Sequence, residues 1–203
     1  MSLFTARALA IGAIGPLEFQ LAAGQCLALS GPSGAGKTRL LRAMADLDAH
    51  QGVCLLDGRP AAGFAAPDWR RQVMYLAAES AWWADTPAEH LPALDADLNA
   101  RLSELGLTPE LITRSLAQLS SGQRQRLALL RLLAGRPRVL LLDEPTANLD
   151  ADNVARVEQA IAAYCRGQGA CAVWVGHDIA QLDRVAGARI GLDAIGNPIA
   201  SAS

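Results

Sequence analysis

Long apolar runs, paired cysteines and a surplus of charge are all missing from this sequence of 203 residues. No stretch reaches the roughly 18 consecutive apolar residues that a membrane-spanning helix requires, so any membrane role has to come through a partner. The apolar beginning is interrupted by Glu18 and has no basic segment ahead of a clean apolar core, which speaks against a secretory leader. Cys26, Cys54, Cys165 and Cys171 show no C-x-x-C spacing and sit among apolar residues. They read as reduced core thiols of a cytosolic protein, with no disulfide or metal role expected. A net charge of −2 gives no electrostatic case for a nucleic-acid partner. Arg124, Arg126, Arg131, Arg136 and Arg138 are diluted by leucine and read as charges on a helix surface. Aromatic residues make up only 4%, so the adjacent pair Trp82 and Trp83 stands out.

Hydrophobic residues make up 51%, enough in a chain of this length to fill the core of one α/β domain with a modest insertion. Residues 2–11 and 16–21 are expected as two strands joined by a turn at Gly15-Pro16. Strand 25–29 feeds a glycine-rich loop, and residues 36–46 follow as helix. Residues 52–56 read as a short strand closed by the turn signal Asp57-Gly58. Residues 59–68, with Pro60, Gly63 and Pro67, read as loop, and 72–76 as strand. From 85 to 118, Pro87, Pro92 and Pro109 punctuate helical pieces. Residues 120–134 form a helix with Ser120 as N-cap, and Val139-Leu140-Leu141-Leu142 is a continuous apolar strand of the kind covered on both faces. Helix 151–166, strand 171–175, helix 179–185 and strand 188–192 complete the pattern. The fold class is therefore α/β: a mostly parallel sheet with flanking helices, N-terminal antiparallel strands and a small helical insertion. Ligands of such sheets bind at the carboxyl ends of the strands.

The most informative stretch is Gly31-Pro32-Ser33-Gly34-Ala35-Gly36-Lys37-Thr38, between an apolar strand and a helix. This is the phosphate-binding loop in the context it requires. Its glycines let backbone N–H groups approach an anion, and the following helix adds its free N-terminal donors and positive dipole end. Lys37 is expected to reach the terminal phosphates and Thr38 to offer its hydroxyl to Mg²⁺. A nucleoside triphosphate is the implied ligand.

Asp143 and Glu144 follow directly on the apolar strand, at the edge where phosphates should lie. A carboxylate at Asp143 can hold Mg²⁺ through its water shell. Glu144, one residue further, is placed to polarise the attacking water as general base. In Leu119-Ser120-Ser121-Gly122-Gln123-Arg124-Gln125, hydroxyl and backbone donors point outward from a positive helix end; alone this is an ordinary capped helix.

Taken together, residues 31–38, 119–125, 140–144, Asn148-Leu149-Asp150 and His177 occur in the order and spacing of a known family. Over nearly the whole chain the sequence resembles the ATP-binding cassette (ABC) ATPases, whose fold is that of the P-loop NTPases. The resemblance implies one ABC domain over residues 1–203, with a helical subdomain at about 85–135. It implies ATP and Mg²⁺ as cofactors. Ser120, Ser121 and Gly122, with Gln123 beside them, would bind the γ-phosphate of ATP held by the opposite subunit, and Asp150 would lie in the loop crossing that interface. His177 would contact the γ-phosphate and hold the attacking water, working with Glu144. One phosphate loop and one signature per chain imply a homodimer closed around two nucleotides. The implied partner is an integral membrane permease subunit, with the chain cytoplasmic and peripheral on the inner face of the cytoplasmic membrane. Residues 71–75, 82–86 and 173–178 look most like small ATP-binding subunits of iron export. The alternatives are a soluble, non-transport ABC ATPase and a regulatory cassette with weak turnover.

Three positions depart from the family. Ala78 stands where a glutamine normally touches Mg²⁺ and the membrane partner, with Glu79 next to it as a substitute oxygen. Ser121 stands where glycine is usual. No aromatic residue lies between 8 and 15 to stack on adenine, and Phe4 comes too early. Trp82 and Trp83 follow the altered segment and have two readings: a groove for a short cytoplasmic helix of the membrane subunit, or packing between core and helical insertion.

Overall fold

The computed structural model describes residues 2–93 and 95–199. The chain begins with an antiparallel hairpin, β1 (Phe4–Ile11) and β2 (Ile14–Leu21). The turn falls at Gly12-Ala13, where Gly12 has φ +62°, and not at the expected Gly15-Pro16. Gly15-Pro16 instead lies inside β2, because Ile14 and Leu17 on either side are both needed in the core. β3 (Cys26–Ser30) leads through the glycine-rich loop into α1 (Lys37–Met44). β4 (Gln51–Leu56) and the two-residue β5 (Arg59–Pro60) complete the first sheet, in the order β2-β1-β4-β5. The expected loop at 59–68 is more structured than its prolines suggested. Pro67 falls in the first turn of α2 (Ala66–Gln72), where its missing N–H costs no hydrogen bond.

β6 (Val73–Leu76) opens the second sheet, followed by α3 (Ala96–Glu104), α4 (Ser121–Ala134) and β7 (Val139–Asp143). Then come α5 (Ala151–Gln168), β8 (Cys171–Val175), α6 (Ile179–Val185), β9 (Ala188–Leu192) and β10 (Pro198–Ile199). The order is β10-β9-β3-β8-β7-β6, with every pair parallel except the β10 edge. Between β6 and β7 the described chain contains helices and single 3-10 turns only. Pro87 and Pro109 begin two of those turns, at Pro87–His90 and Pro109–Thr113.

The parallel sheet is covered on both faces, which is why β7 and β8 are apolar without alternation. Val139, Leu141 and Val173 face α1 and the first sheet, where Leu9, Leu17, Leu40, Leu41, Met44 and Trp69 close the core. Leu140, Leu142 and Trp174 face the other way, onto Leu127, Leu130, Val157, Ile161 and Leu182 of the helices. Cys54, Cys165 and Cys171 are buried and Cys26 is half-buried.

Two side chains lock the helices to this frame. The Trp69 indole N–H donates to the Met44 carbonyl (3.0 Å), satisfying an end group of α1. Arg126, expected on a helix surface, is in fact only 8% exposed. Its guanidinium donates to the carbonyls of Leu105 (2.7 Å), Gly106 (3.1 Å) and Gly122 (3.3 Å), tying the end of α3 to the start of α4. Its fixed fork of donors matches several carbonyls at once, which offsets the cost of burying the charge.

Candidate nucleotide site

The loop between β3 and α1 lies at the carboxyl end of the central strand. Gly36 is in the left-handed conformation (φ +86°), and any Cβ there would run into Ile14 of β2. The residue that turns the backbone into α1 therefore has to be glycine. Lys37 is 6% exposed, and its Nζ donates to the carbonyls of Gly31 (2.8 Å) and Pro32 (2.9 Å) across the loop. Burial pushes its pKa down, while the carboxylates of Glu144 and Asp143 pull it up. The ammonium thus sits between two backbone carbonyls of the loop and two acids.

One strand, β7, two places from β3 across β8, brings both acids to the same end of the sheet as this loop. Asp143, the last residue of β7, is 3% exposed, and its Oδ2 accepts from the Thr38 hydroxyl at 2.8 Å. A hydroxyl and a carboxylate side by side suit a hard divalent cation that takes its other ligands from phosphate and water, so the donor set fits Mg²⁺. The same Oδ2 accepts from the Tyr75 hydroxyl at 2.9 Å. Burial, then the carboxylate, hold the Tyr75 phenol above its usual pKa. Sequence reasoning missed Tyr75; the two-residue alternation of β6 against β7 was the available signal.

Glu144 has φ +48°, a conformation uncommon for a side chain of its kind. Its N–H donates to the Val175 carbonyl (3.0 Å), which fastens the end of β7 to the end of β8. Two residues after Val175, His177 places its Nε2 2.9 Å from Glu144 Oε1. A hollow of about 130 Å³ opens beside them, lined by Glu144, Thr146, Ala147, Val175, Gly176, His177 and Gln181. Gln181, which also lines this hollow, accepts from the Thr146 hydroxyl (3.2 Å) and donates to Glu158 (2.9 Å), which is itself paired with Arg184. Gln181 is a second residue that sequence reasoning missed. A much larger cavity, about 1110 Å³, lies at the other end of the sheet, between β2, the start of β3, α5 and the strand β9. It contains none of the predicted site residues.

Ser120 and Ser121 are exposed at the cap and first residue of α4, and Gly122 and Gln123 behind them are half-buried. Ser120 Oγ accepts from the Gln123 N–H (3.2 Å), and Gln123 Oε1 accepts from the Ser120 N–H (3.0 Å), a reciprocal cap. Gly122 lies against Leu149, where an added Cβ would come within 3.0 Å of its side chain. Asp150 caps α5, accepting from the N–H of Asn153 (2.9 Å), and its carboxyl is held below the usual range by these donors. Among the described residues, no hydrogen bond or ion pair links 120–123 to the loop 31–38. The structure thus joins the signature to the segment of Asp150, and not to the phosphate loop of its own chain.

The departures are equally visible. Ala78 is half-buried, and Glu79 is exposed with no hydrogen bond or ion pair among the described residues. Phe4 is fully buried between Phe19 and Trp69, so it cannot reach a nucleotide. Of the two tryptophans, Trp82 has the packing role between core and helical insertion, and Trp83 does not. Trp82 packs on the helical core beneath the Arg131 guanidinium (4.4 Å), whereas Trp83 is 76% exposed and lies edge-on to His90 (4.1 Å). Arg131 is consequently a stacking residue, not a free surface charge.

Residues 14–147 match the family model described as ABC transporter. Escherichia coli has a relative named probable iron export ATP-binding protein FetA. It is 34% identical over 175 residues, covering 80% of this chain and 76% of FetA. The cytochrome c biogenesis ATP-binding export protein CcmA of Xanthomonas campestris is 36% identical over 200 residues, covering 84% of this chain and 85% of CcmA. A bacterial Atm1-family ABC exporter with ATP bound has the same fold, with a TM-score of 0.83 at 22% identity. The alignment takes in 97% of this chain and 38% of the exporter chain. On this sequence match and these relatives, the chain belongs to the ABC transporter family, as one of its ATP-binding, ATP-hydrolysing members.

Proposed function

We propose that the chain is the ATP-hydrolysing subunit of a transporter, acting as a homodimer that powers a separate integral membrane permease from the inner face of the cytoplasmic membrane. The observation that carries this reading is the convergence of Lys37, Thr38, Asp143, Glu144 and His177 on one sheet edge. ATP phosphates would lie along the N–H groups of Gly31, Ser33, Gly34, Ala35 and Gly36, with Pro32 shaping the loop and Lys37 as counter-charge. Thr38 and Asp143 hold Mg²⁺, which when bound neutralises charge building up on the phosphates. Glu144 takes the proton of the attacking water, and His177 orients both the carboxylate and the γ-phosphate.

Ser120, Ser121, Gly122 and Gln123 of one copy close over the nucleotide of the other, with Asp150 at the seam. The exposure of Ser120, Ser121 and Asp150, and the separation of this segment from the loop of its own chain, support this arrangement. The exposed Trp83, backed by Trp82, His90 and Arg131, is the anchor we assign to the permease. Among the described residues, no helix is long and apolar enough to cross a membrane.

For the cargo, the resemblance favours export of a metal ion such as iron, and the relative FetA supports it. The CcmA relative is no less similar, so the nucleotide site and the cargo are separate questions. The test of the dimer is light scattering of the purified chain with ATP and Mg²⁺, comparing wild type with Ser120→Arg. The expected result is a nucleotide-dependent dimer that Ser120→Arg abolishes while the monomer keeps its fold. A Ser120→Arg protein that dimerises and hydrolyses ATP normally would remove the trans site.

A further inference from the structure

We infer that Tyr75 is a positioning residue for the divalent cation held by Thr38 and Asp143, an inference that rests on the proposed reading of that site. Strand register brings it there. β6 and β7 pair in parallel with Tyr75 opposite Leu141, and alternation turns Tyr75, Leu141 and Asp143 toward the face covered by α1. From that face two hydroxyls donate to one oxygen, Asp143 Oδ2: Tyr75 at 2.9 Å and Thr38 at 2.8 Å. Among the described residues, no donor reaches Oδ1.

A carboxylate with two hydroxyls on one oxygen cannot rotate without losing both bonds. Tyr75 and Thr38 therefore decide together how the remaining lone pairs of Asp143 are aimed. The two anchors are not equivalent. The Thr38 hydroxyl is itself assigned to the cation, whereas Tyr75 has no other assignment and is the anchor independent of the metal. It is also the side chain through which β6 reaches the site, because Ala77 and Ala78, which follow the strand, bring only methyl groups.

Tyr75→Phe keeps the ring and removes the hydroxyl. The measurement is Mn²⁺ binding to the purified full chain saturated with ADP, with free Mn²⁺ counted by electron paramagnetic resonance. ADP affinity and the thermal midpoint in EDTA are measured alongside. The expected result is Mn²⁺ binding weakened by about 10-fold, as for loss of a hydrogen bond that orients a metal ligand, with both EDTA readings unchanged. Wild-type Mn²⁺ affinity in Tyr75→Phe overturns the inference while leaving the site intact. An equal fall in metal-free ADP affinity also overturns it, since the hydroxyl then acts only on the fold. If the wild-type protein with ADP binds no Mn²⁺ beyond what free ADP takes up, the reading of the site fails with it.

Discussion

His177 Nε2 stands 2.9 Å from Glu144 Oε1, across the ends of two neighbouring parallel strands. The contact follows from the backbone. The Glu144 N–H is bonded to the Val175 carbonyl, so the residue after β7 is held level with the end of β8, and His177 lies two residues further on. Glu144 makes this contact from a left-handed backbone conformation, φ +48°, uncommon for a non-glycine residue and frequent at functional sites.

His177→Ala should therefore lower kcat by about 10²–10³-fold, the usual size for loss of one donor aimed at developing charge, with little change in nucleotide affinity. Steady-state kinetics beside an equilibrium binding titration will separate the two. A fall in affinity with kcat intact would make His177 a binding residue.

Trp69→Phe should destabilise the fold by at least about 1–3 kcal/mol, because the Met44 carbonyl loses its buried donor and the smaller ring leaves a void in the core. Chemical denaturation measures this directly. A loss below about 0.5 kcal/mol, the range of neutral surface substitutions, would mean that the indole N–H does not anchor α1.

The buried thiols make alkaline stability a readout of the core. Burial pushes Cys54 and Cys165 from an ordinary 9.0 up to about 12. Each holds its proton more tightly folded than unfolded. The stability this contributes is complete below pH 9, shrinks as the unfolded chain ionises above it, and is gone once the pH passes about 12. Denaturation midpoints should fall between about pH 8 and about pH 10, and fall less in the double variant Cys54→Ala, Cys165→Ala. Equal slopes for the two proteins would count against this origin.

Much of this was legible in the sequence, wherever one residue type serves one local purpose. The apolar run at Val139-Leu140-Leu141-Leu142 reads as a two-sided strand because both faces are covered, and Ser120 reads as a cap because Gln123 completes it. The readings that failed depend on long-range packing. Gly15-Pro16 carries the local signature of a turn, yet the need to bury both Ile14 and Leu17 keeps it within a strand. Arg126 looks like surface charge until the carbonyls of Leu105 and Gly106 are brought to it. Tyr75 and Gln181 carry no motif at all; their roles depend on partners 68 and 35 residues away.

The central claim is that Glu144 drives ATP hydrolysis at a site shared between two copies. The most direct measurement is steady-state phosphate release by Glu144→Gln, paired with light scattering in ATP and Mg²⁺. Loss of the base predicts turnover lower by at least about 10²-fold and a dimer that accumulates with ATP. Turnover at the wild-type rate would contradict the assignment.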